Sequence, residues 1–238
     1  MRKRNSIQLL CLVILCGTLL FTSSCGARPS AESTELIGSI YISMDIPTAN
    51  SVADMVQMAD FVIAGQYVEE MESYNKNRNP EDPTKEAVGS QHIGRIYRFC
   101  VQEVLKGEGM EESIEISIPY STTRSYRAKA ADYTYVDPRF MEPELETEYL
   151  LFLNYSENSG HYYGAGGPSA IKKGEDSSAE LQSNLLERDV PFSLQGTVAG
   201  SDQKIAVTID AGSVENFTKN MTFEQIYQAA KAESANLR

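Results

Sequence analysis

The stretch that decides the fold is Glu148-Tyr-Leu-Leu-Phe-Leu-Asn-Tyr155, a compact apolar and aromatic run and the strongest strand signal in the chain. A second run, Phe61-Val-Ile-Ala-Gly-Gln-Tyr-Val68, opens on continuous apolar residues, which suggests a strand buried on both sides. Between them, Ile96 to Leu105 puts Tyr97, Phe99 and Val101 on one face. Lys106-Gly-Glu-Gly109 then reads as a turn, and the alternating Ile114, Ile116 and Ile118 as the hairpin partner. Ile40, Ile42 and Met44 alternate in the same way upstream, and Pro47 ends that strand. Further strand signals lie at Ala170-Ile171 and from Ile205 to Ile209.

Two helices stand out against this background. Asn50 or Ser51 opens the first, with Asp54 three residues after Ser51 as a capping box and Val52, Met55, Val56 and Ala59 on one helical face. Thr222 and Gln225 repeat the box before Phe223, Ile226, Tyr227 and Ala230. A third short helix is expected near Ala179 to Leu186. Residues 73–92 and 120–146 read as long exposed loops. The expected fold is therefore mainly β with two or three short helices (α+β), arranged as a small antiparallel barrel or sandwich.

The N-terminus has a different character. Arg2, Lys3 and Arg4 precede an apolar run from Ile7 to Phe21, then Thr22-Ser-Ser-Cys25. The run is shorter than the roughly 20 residues of a bilayer span and has the flanks of a cleaved export signal. Small residues directly before Cys25 resemble a lipobox, although Thr22 stands where Leu is commoner. The expected organisation is a signal peptide over 1–24, a lipidated Cys25 with a flexible tether over 25–36, and one β-rich domain over 37–238. An ordinary cleavage site with Cys25 incidental stays open. An uncleaved anchor is disfavoured by the short run. A diacylglyceryl cysteine would supply two acyl chains, enough for stable membrane attachment.

Charge and cysteine content narrow the function classes. The net charge is −12, becoming −15 once Arg2, Lys3 and Arg4 are lost. Such an acidic body is a poor nucleic-acid binder. Cys11 and Cys16 leave with the signal, so Cys100 has no disulfide partner in the mature chain. Stability must then come from burial.

Three segments together suggest a relationship. Ala59-Asp-Phe-Val-Ile-Ala-Gly65, Tyr97-Arg-Phe-Cys-Val-Gln-Glu-Val-Leu-Lys-Gly107 and Glu148-Tyr-Leu-Leu-Phe-Leu153 resemble, in order and spacing, a broad group of secreted bacterial domains. Those domains look like OB-type β-barrels and are similar to netrin-like domains and tissue inhibitors of metalloproteinases. The resemblance covers roughly residues 51–171 and implies an OB-like barrel. It also favours a Gram-positive host, with the protein on the outer face of the cell membrane. The matching positions are core and turn residues, so they imply a fold and not an activity. Inhibitors of that type chelate zinc through a free N-terminal cysteine, which lipidation of Cys25 would remove.

Catalytic patterns are missing. His92 and His161 are the only histidines and lack metal-ligand spacing with Cys100. Cys100, on a strand, reads as a small buried hydrophobe. No nucleophile elbow or cofactor motif appears, and the glycine-rich Gly164 to Gly174 lacks the Walker spacing. Glu69, Glu70 and Glu72, and Glu142, Glu144, Glu146 and Glu148, form runs that read as solvated faces.

One segment has the composition of an interaction surface: Arg124, Tyr126, Arg127, Tyr135 and Arg139 in an otherwise acidic chain. Pairing of these residues with the protein's own carboxylates is the alternative. The leading expectation is a membrane-anchored, non-enzymatic binding or protein-interaction module, with a protein or envelope component as partner. Its rivals are a cell-envelope hydrolase using two facing carboxylates and a structural envelope-assembly subunit.

Overall fold

The computed structural model describes residues 36–87, 91–126 and 131–237. The expected signal segment, Cys25, most of the expected tether and Arg127 lie outside the described residues. In chain order the elements are β1 (Leu36–Ser43), α1 (Val52–Met58), β2 (Phe61–Glu70), β3 (Tyr74–Asn75), β4 (Arg78–Asn79), β5 (Asp82–Glu86), β6 (Gln91–Lys106) and β7 (Ser113–Tyr126). There follow β8 (Ala131–Val136), β9 (Glu148–Ser156), β10 (His161–Gly164), β11 (Ala170–Lys173), β12 (Ala179–Leu181), β13 (Phe192–Val198), β14 (Lys204–Asp210) and α2 (Phe223–Asn236). The fold is mainly β with two helices, as the sequence pattern suggests. Among the described residues no helix is long and apolar enough to cross a membrane.

Twelve of the strands belong to one sheet, larger than the small one expected. Within it β2 pairs with β6, β6 with β7, β7 with β10, β10 with β9, and β9 with β2. All these contacts are antiparallel except β7 with β10, which is parallel at Ile116 and Tyr162. The sheet runs on from the far end of β7 through β8, β13 and β14 to β1. The β1–β14 contact is also parallel, so the sheet is mixed.

Strand alternation sorts the side chains into two cores. Ile63 and Tyr67 of β2, Tyr97 and Phe99 of β6, Ile114 and Ile116 of β7, and Tyr149, Leu151 and Leu153 of β9 form one cluster. Val62 and Ala64 of β2, and Leu150 and Phe152 of β9, point the other way into a second. That second cluster takes in Met55 and Val56 of α1, Phe223, Ile226 and Ala230 of α2, and Ile205, Val207 and Ile209 of β14. Burial of successive residues in β2 and β9 thus follows from contact with a different core on each side.

The backbone at the shared wall is close-packed. A Cβ on Gly65 would fall 2.0 Å from the Cys100 carbonyl oxygen, at a shift in the β2–β6 register. Only glycine permits that approach. Both helix starts are capped as their sequences suggest. Ser51 Oγ accepts from Asp54 N at 3.1 Å, while the Asp54 carboxylate accepts from Asn50 N at 3.0 Å. Thr222 and Gln225 complete a reciprocal box. Lys106 Nζ donates to the carbonyls of Val56 and Ala59 at 2.8 and 2.6 Å, closing the C-terminal end of α1.

Three local expectations need correction. Ala179 to Leu181 is a strand and not a helix, because Ala179 and Leu181 both face the helix-side core across from β11. Residues 73–92 hold β3, β4 and β5, tied down by the buried Asn75. Its Oδ1 accepts from His92 N at 2.9 Å, and its Nδ2 donates to Ala87 O at 3.3 Å. Residues 120–146 hold the end of β7 and all of β8, with Tyr133 and Tyr135 directed inward.

Candidate functional site

A cavity of about 390 Å³ opens beside the tyrosine-containing core. Tyr67 of β2, Ile116 of β7 and Tyr149, Leu151 and Leu153 of β9 form its floor. These are the same side chains that fill the core, so the cavity is a continuation of it. Tyr67 organises this floor, with its ring edge-on to Phe99, Tyr149 and Tyr97 at 5.0, 5.1 and 5.9 Å. Burial pushes the Tyr67 phenol far above its ordinary range, so it stays neutral.

One wall is the connection from β10 to β11, residues Gly164 to Ala170. Ala165 N donates to Phe152 O and Phe152 N donates to Ser169 O, both at 3.0 Å, which fastens this strap to β9. Gly167 N donates to Pro47 O at 2.9 Å, fastening it to the segment after β1. The Gly167–Pro168 peptide is cis. This glycine-rich stretch, which has no Walker spacing, lines a cavity.

Tyr163, Ser169, Gln182 and Ser183 reach the lining, while the ionisable groups Lys76, His92, Arg139 and Glu142 line the cavity together with Ser117 and make its polar end. Asp137 lies directly behind them and is buried. Arg139 grips it through Nε to Oδ1 at 2.9 Å and Nη2 to Oδ2 at 2.8 Å. Burial alone would raise the Asp137 carboxyl. The guanidinium overrides burial and holds it well below the usual carboxylate range. His92 Nε2 stands 3.7 Å from Asp137 Oδ2, within ion-pair range but long for a hydrogen bond. Glu142 is drawn to Arg95 at 3.4 Å, whose guanidinium stacks on the Tyr120 ring at 3.9 Å.

Lys76 differs from its neighbours. Among the described residues its ammonium makes no hydrogen bond and no ion pair within 4 Å. Burial, helped by the Arg139 charge and opposed by Asp137, lowers its pKa from the ordinary lysine value. Ser117 is 1 % exposed, and its Oγ also lacks a partner. The two are neighbours: a Cβ built on Gly94 would sit 2.6 Å from Ser117 Oγ and 3.2 Å from Lys76 Cδ. Lys76, Ser117 and Tyr163 also line an adjoining depression that holds Tyr74, Tyr155 and His161.

The residues expected to form an interaction surface do not assemble as one. Tyr135 is buried in the helix-side core and stacks on Tyr133 at 6.1 Å. Tyr126 is half-buried against the same core. Arg124 is exposed on β7, opposite Tyr133. Arg139 is engaged by Asp137 and belongs to the cavity. Alternation along β7 and β8 turns the tyrosines inward, which composition alone did not reveal. Cys100, expected to be buried, is exposed because Phe99 and Val101 take the inward positions of β6.

The glutamate runs are mostly neutralised along the exterior. Glu69 pairs with Arg98, Glu70 with Arg95, Glu144 with Lys172 and Glu148 with Lys173. His161 faces Glu115 at 3.3 Å. Among the described residues no three His, Cys, Asp or Glu side chains are placed to hold a metal ion.

Sequence reasoning missed Lys76 and Ser117, and read His92 only as a residue without metal-ligand spacing. No local signal marks them. Strand pairing brings Lys76, just after β3, alongside His92 of β6 (Lys76 N donates to His92 O at 2.7 Å), and β7 adds Ser117. No protein-family model matches the chain, and no curated protein matches it at a significant level.

Proposed function

We propose that this chain is an extracytoplasmic lipoprotein, held at a membrane by lipid on Cys25, whose domain binds a small molecule without transforming it. The observation that carries the binding reading is the cavity itself. Its size falls in the range of small-molecule sites, roughly 300–1,000 Å³. Apolar walls converge on a few polar groups at one end. The anchoring reading rests on the Thr22-Ser-Ser-Cys25 pattern behind a short apolar run. The resemblance to domains of Gram-positive hosts favours the outer face of the cell membrane.

The five mutually paired strands β2, β6, β7, β10 and β9 are read as an OB-type barrel of the netrin-like kind, extended by further strands. Supporting this are the return of β9 to β2 and the parallel contact between the third and fifth strands in chain order. A hydrolase would need two facing carboxylates. The only carboxylate lining the cavity, among the described residues, is Glu142, and it is held by Arg95.

Two measurements test the reading. Cys25→Ala should release the protein from the membrane fraction; continued membrane attachment would contradict lipid anchoring. Nile red, a neutral apolar dye, should bind the full chain in lipid nanodiscs above the empty-disc signal. Met141→Trp, which enlarges a lining side chain, should abolish that binding. Binding unchanged by Met141→Trp, or no binding at all, would contradict the cavity as the site.

A further inference from the structure

We propose that the cavity takes a monoanionic organic carboxylate, its compact apolar body against Ile116, Leu151 and Leu153 and its carboxylate between Lys76 Nζ and Ser117 Oγ. This rests on the reading of the cavity as a binding site and names the chemistry of its occupant.

Most charges at the polar end are paired. Arg139 is paired with Asp137 through two side-chain hydrogen bonds. Glu142 is drawn to Arg95. That leaves the Lys76 ammonium as the cation without a counter-ion within 4 Å among the described residues. A half-buried ammonium without an anionic partner is costly, and in a chain of net charge −12 partners are plentiful elsewhere. An anionic ligand head supplies the missing partner.

Ser117 is a second, independent pointer. Its hydroxyl is buried, lines the cavity and has no hydrogen-bond partner. Buried polar groups are nearly always satisfied, so an orphan beside an orphan cation marks a place for an acceptor. A carboxylate has two oxygens and accepts from both donors at once.

The walls choose the rest of the ligand. Away from the polar end the floor is Ile116, Leu151 and Leu153, with Leu185 beside them. This mainly apolar lining, interrupted by Ser169, Gln182 and Ser183, favours an aliphatic or aryl body over a sugar or a nucleotide. One uncompensated positive charge suits a monoanion. A phosphate monoester would bring a second negative charge towards Asp137, whose own charge Arg139 already occupies.

The test uses the full chain in lipid nanodiscs, with empty discs as blank, and three probes that share one body: 4-phenylbutyrate, 4-phenylbutanol and 4-phenylbutyl phosphate. Calorimetric titration should show the carboxylate binding about tenfold or more tightly than the alcohol, with the phosphate weaker than the carboxylate. Lys76→Met should erase the preference for carboxylate over alcohol, read as the ratio of the two affinities within the same variant. Lys76→Arg should keep most of the preference, and Ser117→Ala should reduce it roughly threefold. Equal affinity for carboxylate and alcohol, a preference that survives Lys76→Met, or tighter binding of the phosphate would each overturn the proposal. If Nile red still binds in those cases, the cavity remains a binding site for another class of ligand. If neither Nile red nor any probe binds, the cavity reading falls and the proposal falls with it.

Discussion

Strands β2 and β9 are shared by two interiors of different make. On one side Val62, Ala64, Leu150 and Phe152 meet two helices and β14 in a core that is largely aliphatic. On the other side Ile63, Tyr67, Tyr149, Leu151 and Leu153 meet a core in which Tyr67, Tyr97, Phe99 and Tyr149 stack edge to face. The first core is packed against α1 and α2, with a smaller depression of about 290 Å³ at its edge that reaches Ala64 and Phe223. The second opens into the cavity, where five of its side chains are also the cavity floor. Packing against the helices on one side holds β2 and β9 in place while the other side lines the cavity.

The comparison predicts unequal costs for truncating adjacent residues of β9. Phe152→Ala, in the helix-packed core, should lower unfolding free energy by about 4 kcal/mol. Leu151→Ala, which only enlarges an existing cavity, should cost about 2 kcal/mol. Urea denaturation of both variants measures the difference. Equal losses would mean that the two sides are packed alike.

The polar end gives the next largest effect. Asp137→Asn leaves the Arg139 guanidinium half-buried without its anion and should cost about 3 kcal/mol at neutral pH. The sign with pH follows from the depressed carboxyl pKa. The folded state prefers the ionised form, so the contribution is complete above the usual carboxylate range of about 4 and declines as pH falls below it. The gap between wild type and Asp137→Asn should therefore narrow from pH 5 down to pH 2. A gap that widens towards acid would contradict the ion pair's role.

The smallest effect lies at the edge of the helix-packed core. Thr222 caps α2 through its side chain, and Thr222→Ala should cost about 1 kcal/mol without changing Nile red binding. A loss of dye binding in this variant would show that the helix-packed side governs the cavity.

The helix-packed core was the more legible of the two in the sequence. Its helices announce themselves through Ser51, Thr222 and one-sided apolar spacing, and both caps form as spaced. The runs at Phe61 and Glu148 likewise carry double-sided burial in their composition. Other strands were hidden by their outward residues. In β8 the inward Tyr133 and Tyr135 alternate with Asp132, Thr134 and Val136, and the neighbouring arginines made the segment look like a surface. In β13 only alternate positions are buried, with polar residues between them. The cavity was illegible for a different reason: Lys76, His92, Ser117 and Arg139 meet through strand pairing across β3, β6 and β7, and no spacing in the chain records that meeting. Arg139 was singled out from its surroundings but assigned to a surface that the fold does not build.

Ile116, Leu151 and Leu153 line the cavity, whereas Val62, Leu150 and Ile226 are packed in the helix-side core and line neither it nor the depression beside α2. Xenon enters dry apolar cavities and shifts the methyl resonances that line them. Methyl NMR of the protein under xenon pressure should show saturable shifts at Ile116, Leu151 and Leu153, and none at Leu150, Val62 or Ile226. Shifts of equal size on both sides of the wall, or only at Leu150 and Ile226, would contradict this division.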